Sequence, residues 1–272
     1  MPASMPAPDW TLLLRTPAFE TTALLLGLVV GSFANVCIHR LPRHESVVRP
    51  PSRCPACGTL IRARDNVPVL AWLLLRGRCR ACRAPISPRY PAVEAANGLL
   101  WLALAALRGP RPQTFVAMAL VTALLVLGLI DLDHQILPDA ITLPGIVAGL
   151  AASLLPGSPV PPLAALLAAA GGWLAFAAVA KAYLWVRGIE GLGQGDWKLA
   201  AMLGAFLGWR TLLLTVLLAS LAGTLVGLGA VVLRGRDMRY ALPLGTFLGA
   251  AGIAVVFFGD PIMTWYRGLL GG

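Results

Sequence analysis

Charge is scarce in this 272-residue chain: only 12% of its residues are Asp, Glu, Lys or Arg, about half the share of a soluble domain. Apolar residues make up 58%, and the mean hydropathy is +0.77. That balance excludes an ordinary soluble domain and reads as an all-α polytopic membrane protein. Acidic groups are scarcer still, 12 against 22 basic ones, so a carboxylate beside an apolar run calls for a reason. A basic n-region followed by a small-residue cleavage site is missing at the N-terminus, so no removable signal peptide is expected. No glycine-rich dinucleotide-type fingerprint opens a βαβ unit, so no nucleotide-like cofactor is located by motif. Aromatics do not interleave with the arginines, which argues against a base-stacking surface and against nucleic acid as a partner despite the net charge of +10.

What is present is a series of apolar segments and one polar insert. Residues 1–20 are proline-rich, with a short apolar run at Trp10–Leu14 suited to an interface. The first span is 21–38, residues 39–91 form the polar insert, and 92–272 hold seven further apolar segments. These fall at 92–107, 114–130, 140–155, 163–186, 197–209, 211–233 and 242–258, which makes about eight transmembrane helices. The sixth is short, about 20 Å against a core of about 30 Å. Eleven of the 22 basic residues, all arginine, lie between Arg40 and Arg89. Eight crossings place that insert, Asp131, Asp196 and the 234/236/239 arginines on one face, the cytoplasmic one by the positive-inside rule. Within the first span, Gly27 and Gly31 offer a face for close helix packing. Asn35 needs a helix–helix hydrogen bond, and Cys37 reads as a small buried apolar residue.

The insert carries Cys54-Pro-Ala-Cys57 and Cys79-Arg-Ala-Cys82, each followed four positions later by an isoleucine, Ile61 or Ile86. Two such pairs supply the four ligands of a tetrahedral zinc site, their 21-residue separation slightly beyond the usual range and costing little if the residues between form a hairpin. Four cysteines leave no open position for water, so the zinc is structural. Disulfides are the rival, disfavoured by a reducing compartment.

Two acidic elements remain. Gly191-Leu-Gly-Gln-Gly-Asp-Trp-Lys198 puts three glycines and a carboxylate between apolar segments. It reads either as an active edge or as a loop with Asp196 as a helix N-cap. Asp131-Leu-Asp133-His-Gln-Ile-Leu-Pro-Asp139 closes the third span. Residues two apart on a helix point about 200° apart, so Asp131 and Asp133 cannot both face inward. Asp131 is the inward candidate, while Asp139, after Pro138, is expected to cap the next helix. Paired with Asp196, Asp131 would form a two-carboxylate site of the aspartic-protease kind. The same acids would also serve a proton-coupled transporter, and a zinc-stabilised scaffold without chemistry stays open beside both.

The combined motifs resemble the bifunctional type IV prepilin peptidases, the prepilin leader peptidase/N-methyltransferases. The resemblance rests on Gly31-Ser-Phe-Ala-Asn-Val-Cys-Ile-His-Arg-Leu-Pro42, the cysteine pairs, Ile86-Ser-Pro-Arg-Tyr-Pro-Ala-Val-Glu94, Asp131–Asp139 and Gly193-Gln-Gly-Asp-Trp-Lys198. It implies catalytic Asp131 and Asp196, with Asp133, Gly193, Gly195 and Lys198 supporting the active-site loop. It further implies cleavage of a short basic leader after a glycine in type IV prepilins and type II secretion pseudopilins, which lie in the membrane by an apolar helix. The new N-terminal residue is then methylated with S-adenosylmethionine, all at the cytoplasmic face of an inner membrane. Membrane lipids are the expected contact of the arginine-rich insert. Glu94 is read as a helix N-terminal cap rather than as part of the methyl-transfer site.

Overall fold

The computed structural model describes residues 17–188, 191–234 and 242–269. The Trp10–Leu14 run, Arg236, Arg239 and the side chain of Arg234 lie outside the described residues. Among the described residues eight α-helices follow in order: α1 (Pro17–Arg40), α2 (Leu70–Leu74), α3 (Arg89–Arg108), α4 (Pro112–His134), α5 (Asp139–Ser153), α6 (Pro162–Arg187), α7 (Gln194–Arg234) and α8 (Leu244–Leu269). Two 3-10 turns, Leu41–Arg43 and Ala63–Asp65, interrupt the insert. Among the described residues six helices are long and apolar enough to cross a membrane; α5 is apolar but has only 15 residues. The protein is therefore a multi-pass membrane protein.

Helix α7 explains why its apolar run reads as two segments. Its 41 residues contain a non-helical Gly208, φ 74° and ψ 171°, a conformation open essentially to glycine alone. A straight helix of that length would extend about 61 Å, twice a bilayer core. The break divides it close to the expected 209/211 boundary.

The chain clusters into two compact units. One takes Pro51–Met118 and the chain up to Ala34; the other takes Asn35–Pro50 and the chain from Ala119 onward. In the first unit the two glycines of α1 bring backbones together. A Cβ on Gly27 would stand 2.9 Å from the Gly98 Cα, and one on Gly31 would stand 2.8 Å from the Glu94 Cα. The fully buried Asn97 side chain donates to the Gly27 carbonyl at 2.7 Å, satisfying a polar group where lipid could not. In the second unit α7 packs on α5, α6 and α8. Small residues again set the spacing: Gly149 lies against Ala205, and Gly172 against the Ala200 carbonyl. Leu124, Leu127, Ile130, Leu199, Met202, Leu203 and Leu248 fill this core. Asn35 is buried, whereas Cys37, read as a buried apolar residue, is only half-buried.

Candidate functional site

The cysteine insert folds as two copies of one turn, offset by 25 residues. In the first, the Cys54 N–H donates to the Thr59 carbonyl at 2.9 Å, the Gly58 N–H to the Cys54 carbonyl at 2.8 Å, and the Ile61 N–H to the Ser52 carbonyl at 2.9 Å. In the second, Cys79 donates to Ala84 at 2.9 Å, Arg83 to Cys79 at 3.0 Å, and Ile86 to Gly77 at 2.7 Å. Both turns need a left-handed residue after the second cysteine. Gly58 (φ 69°) supplies it without strain and Arg83 (φ 61°) at a cost. Isolated bridges Arg53↔Leu60 and Arg78↔Pro85 close the two turns.

The sulfurs of Cys54, Cys57, Cys79 and Cys82 lie within 4.8 Å of one another, with Cys54 and Cys82 at 3.8 Å. An ion held by thiolates at about 2.3 Å in a tetrahedron requires sulfur separations of about 3.8 Å. The donors therefore fit. The Thr59 hydroxyl, 3.3 Å from the Cys57 sulfur, and its backbone N–H bring that thiol down to about 6, favouring the thiolate that binds metal.

No hairpin joins the two turns. The segment between them holds the 3-10 turn and α2, pinned by an Arg80–Asp65 ion pair at 2.6 Å and by Trp72 Nε1 donating to the Ile86 carbonyl at 3.0 Å. The Arg80 guanidinium holds the Asp65 carboxyl below the usual carboxylate range. Glu94 does not cap its own helix. It lies inside α3, buried, and accepts the N–H of Val69 at 2.7 Å, the residue preceding α2. It thus caps a helix remote in sequence, a partner no local pattern announces.

The acidic elements meet in the other unit. Asp131, three residues before the end of α4, is buried and its Oδ2 accepts the Thr246 N–H at 2.7 Å, with the Thr246 hydroxyl at 3.3 Å. That hydroxyl donates its proton to the Gly128 carbonyl at 2.9 Å. Asp133 is exposed, as the 200° rotation requires. Asp196 is not the N-cap of α7 but its third residue. Its Oδ2 accepts the Gly193 N–H at 3.1 Å while its own N–H donates to the Gly193 carbonyl at 3.1 Å, a reciprocal capping arrangement.

Leu137 seats both loops. A Cβ on Gly195 would stand 2.8 Å from the Leu137 Cβ, and one on Gly245 would stand 3.0 Å from both Leu137 Cδ1 and the Asp131 carboxyl carbon. Asp139 is likewise not a cap, since Pro138 holds that position without a side-chain bond. One residue into α5, its carboxylate pairs with Lys198 Nζ at 2.7 and 2.8 Å, tying α5 to the first turn of α7. Sequence reasoning missed Gly245, Thr246 and Leu137. Their only signal is a Gly-Thr pair opening the last apolar segment.

The comparisons with known proteins bear on the family. The family described as "Bacterial Peptidase A24 N-terminal domain" matches residues 25–107, and the "Type IV leader peptidase family" matches residues 118–228. The chain is 42% identical to a "Prepilin leader peptidase/N-methyltransferase" of Pseudomonas putida, over 96% of this chain and 99% of that one. Proteins of the same description from Burkholderia pseudomallei (strain 1026b) and Aeromonas hydrophila are 44% and 41% identical, over 92% and 91% of this chain and 87% and 93% of theirs. No solved structure matches the chain significantly. On both halves of its length and on these relatives, the chain belongs to the type IV leader peptidase family.

Proposed function

We propose that this protein is a membrane aspartic endopeptidase that removes the leader of type IV prepilins and type II secretion pseudopilins after a glycine. It then N-methylates the new terminal residue with S-adenosylmethionine as donor. The observation that carries the reading is that Leu137 packs both on Gly195, the neighbour of Asp196, and on Gly245, which lies against the Asp131 carboxyl, within a chain of this family. Two carboxylates so placed share a proton. The ionised one takes a proton from water, the protonated one polarises the scissile carbonyl, and the water oxygen adds to carbon. Collapse breaks the C–N bond as a carboxyl proton passes to the leaving amine. The Thr246 and Gly193 N–H groups hold the two carboxylates in place, and Gly193, Gly195, Lys198 and Asp133 support the surrounding loop.

In this reading the four cysteines bind a structural zinc whose ordering of the 39–91 domain supplies folding free energy. Division of α7 at Gly208 and inclusion of the short α5 favour eight crossings. The positive-inside bias then favours an inner-membrane protein with the acids at the cytoplasmic face. That face is where a precursor held by its apolar helix would present its leader. The domain division that follows is a segment 1–20, a first span 21–38, the zinc domain 39–91 and a seven-helix core 92–272. The transporter alternative has no support among the relatives, each of which is described as a peptidase and methyltransferase. The test is mass spectrometry of a prepilin incubated with S-adenosylmethionine and either wild type or Asp196→Asn. Wild type alone should remove the leader and add one methyl group; cleavage by the variant would sink the paired-carboxylate mechanism.

A further inference from the structure

Helices α6, α7 and α8 enclose a cleft of about 470 Å³ that the chemistry above does not use. One wall is a ridge of α6, Leu167, Gly171, Ala175 and Val179. Residues four apart share a helix face, so this wall is about 18 Å long. The facing wall comes from the part of α7 after Gly208, from Trp209 to Ser220, and among the described residues none of the lining is charged. Two adjacent glycines differ along this ridge. Gly172 is used by the bundle, pressed on the Ala200 carbonyl, whereas a Cβ on Gly171 would meet nothing within 4 Å. Leu167, Leu213 and Val179 remain more than half exposed along it.

Two lining residues connect the cleft to the acids. Leu192 immediately precedes Gly193, whose N–H holds Asp196, and Leu244 immediately precedes Gly245, which lies on the Asp131 carboxyl. An apolar helix lying in this cleft would deliver the chain just outside its end to the two carboxylates.

We infer that the cleft receives the apolar N-terminal helix of the prepilin substrate and thereby registers the scissile bond on Asp131 and Asp196. This inference rests on the leader-peptidase reading above. The uncharged walls suit an uncharged helix, and the basic leader falls beyond them, on the Gly193–Asp196 side. A lipid chain or a second copy of this protein is the competing occupant.

The test places a benzophenone amino acid at Leu213 of the full-length protein in phosphatidylethanolamine–phosphatidylglycerol proteoliposomes with a full-length prepilin. Illumination should give an adduct mapped to the prepilin's apolar segment; adducts with lipid or with a second copy alone would overturn the inference. Gly171→Leu fills the hollow where nothing stands in its way. It should raise KM for prepilin by about tenfold with a smaller change in kcat. Ala175→Leu, one turn further, should act in the same direction. An unchanged KM in both variants would overturn the cleft while wild-type cleavage in the same vesicles leaves the leader-peptidase reading standing. If wild type leaves the leader intact, that reading falls and the cleft falls with it.

Discussion

The cysteine module and the aspartate site solve the problem of assembling a site in opposite ways. The four thiols come from 29 consecutive residues and are positioned by two short turns with the same hydrogen bonds. The aspartate site draws on α4, the first turn of α7 with the residue before it, and the start of α8, and its shortest side-chain bond spans 115 residues. The first is local and, in the reading proposed above, depends on a metal for its stability. The second is non-local and depends on the packing of a whole bundle. Damage to one should therefore leave the other measurable.

The sharpest test of that separation is Asp131→Asn or Asp196→Asn. Leader cleavage should fall by about a thousandfold or more, with metal content unchanged by mass spectrometry of the native protein. Loss of metal along with activity would break the comparison. Next in size, Cys54→Ser or a strong chelator should release the metal and expose residues 51–86 to limited proteolysis. Cleavage should survive better than in the aspartate variants. Thr246→Val removes the hydroxyl but keeps the N–H on Asp131, and kcat should drop by about tenfold. Smaller again, Gly208→Ala forces a side chain onto a backbone of φ 74°. It should destabilise the second unit by about 1–3 kcal/mol, read as a lower thermal midpoint with metal affinity unaltered.

The smallest expected effect is that of Asp65→Asn, which breaks the pair with the exposed Arg80 side chain and should shift the midpoint of the cysteine module by no more than about 2 °C. Asp65 ionises at lower pH folded than unfolded. Its contribution is therefore complete above the unfolded value of about 4 and fades as pH falls through the lower folded value. The difference between wild type and Asp65→Asn should narrow in acid.

The same contrast decides what could be read from sequence. Cys54, Cys57, Cys79 and Cys82 were legible because ligand spacing is local, and even the Ile61/Ile86 echo corresponds to equivalent hydrogen bonds. The apolar segments were legible because length and hydropathy are local too, including the break at Gly208. Asp131 was separable from Asp133 by helical rotation alone. Thr246 was not legible, since nothing near it in sequence mentions a carboxylate 115 positions earlier. Asp139 and Glu94 were misassigned for the same reason. Each stands near a helix start, where capping is the local expectation, but Lys198 and Val69 reach them from elsewhere. Helix α2, with Leu73 and Leu74 exposed in a segment that reads as polar, was lost among the arginines around it.

The break at Gly208 also bears on how the protein is made. The piece of α7 before it, about 14 residues, is too short to partition into a bilayer by itself. It must wait for the piece after Gly208 before it is stably inserted. Thr246 emerges from the ribosome later still. A nascent chain that stops before α8 therefore holds Asp131 without its N–H donor and Asp196 on an unsettled helix. On the reading proposed above, the surroundings of Asp131 are completed only once α8 has been made, well after the cysteine module has emerged.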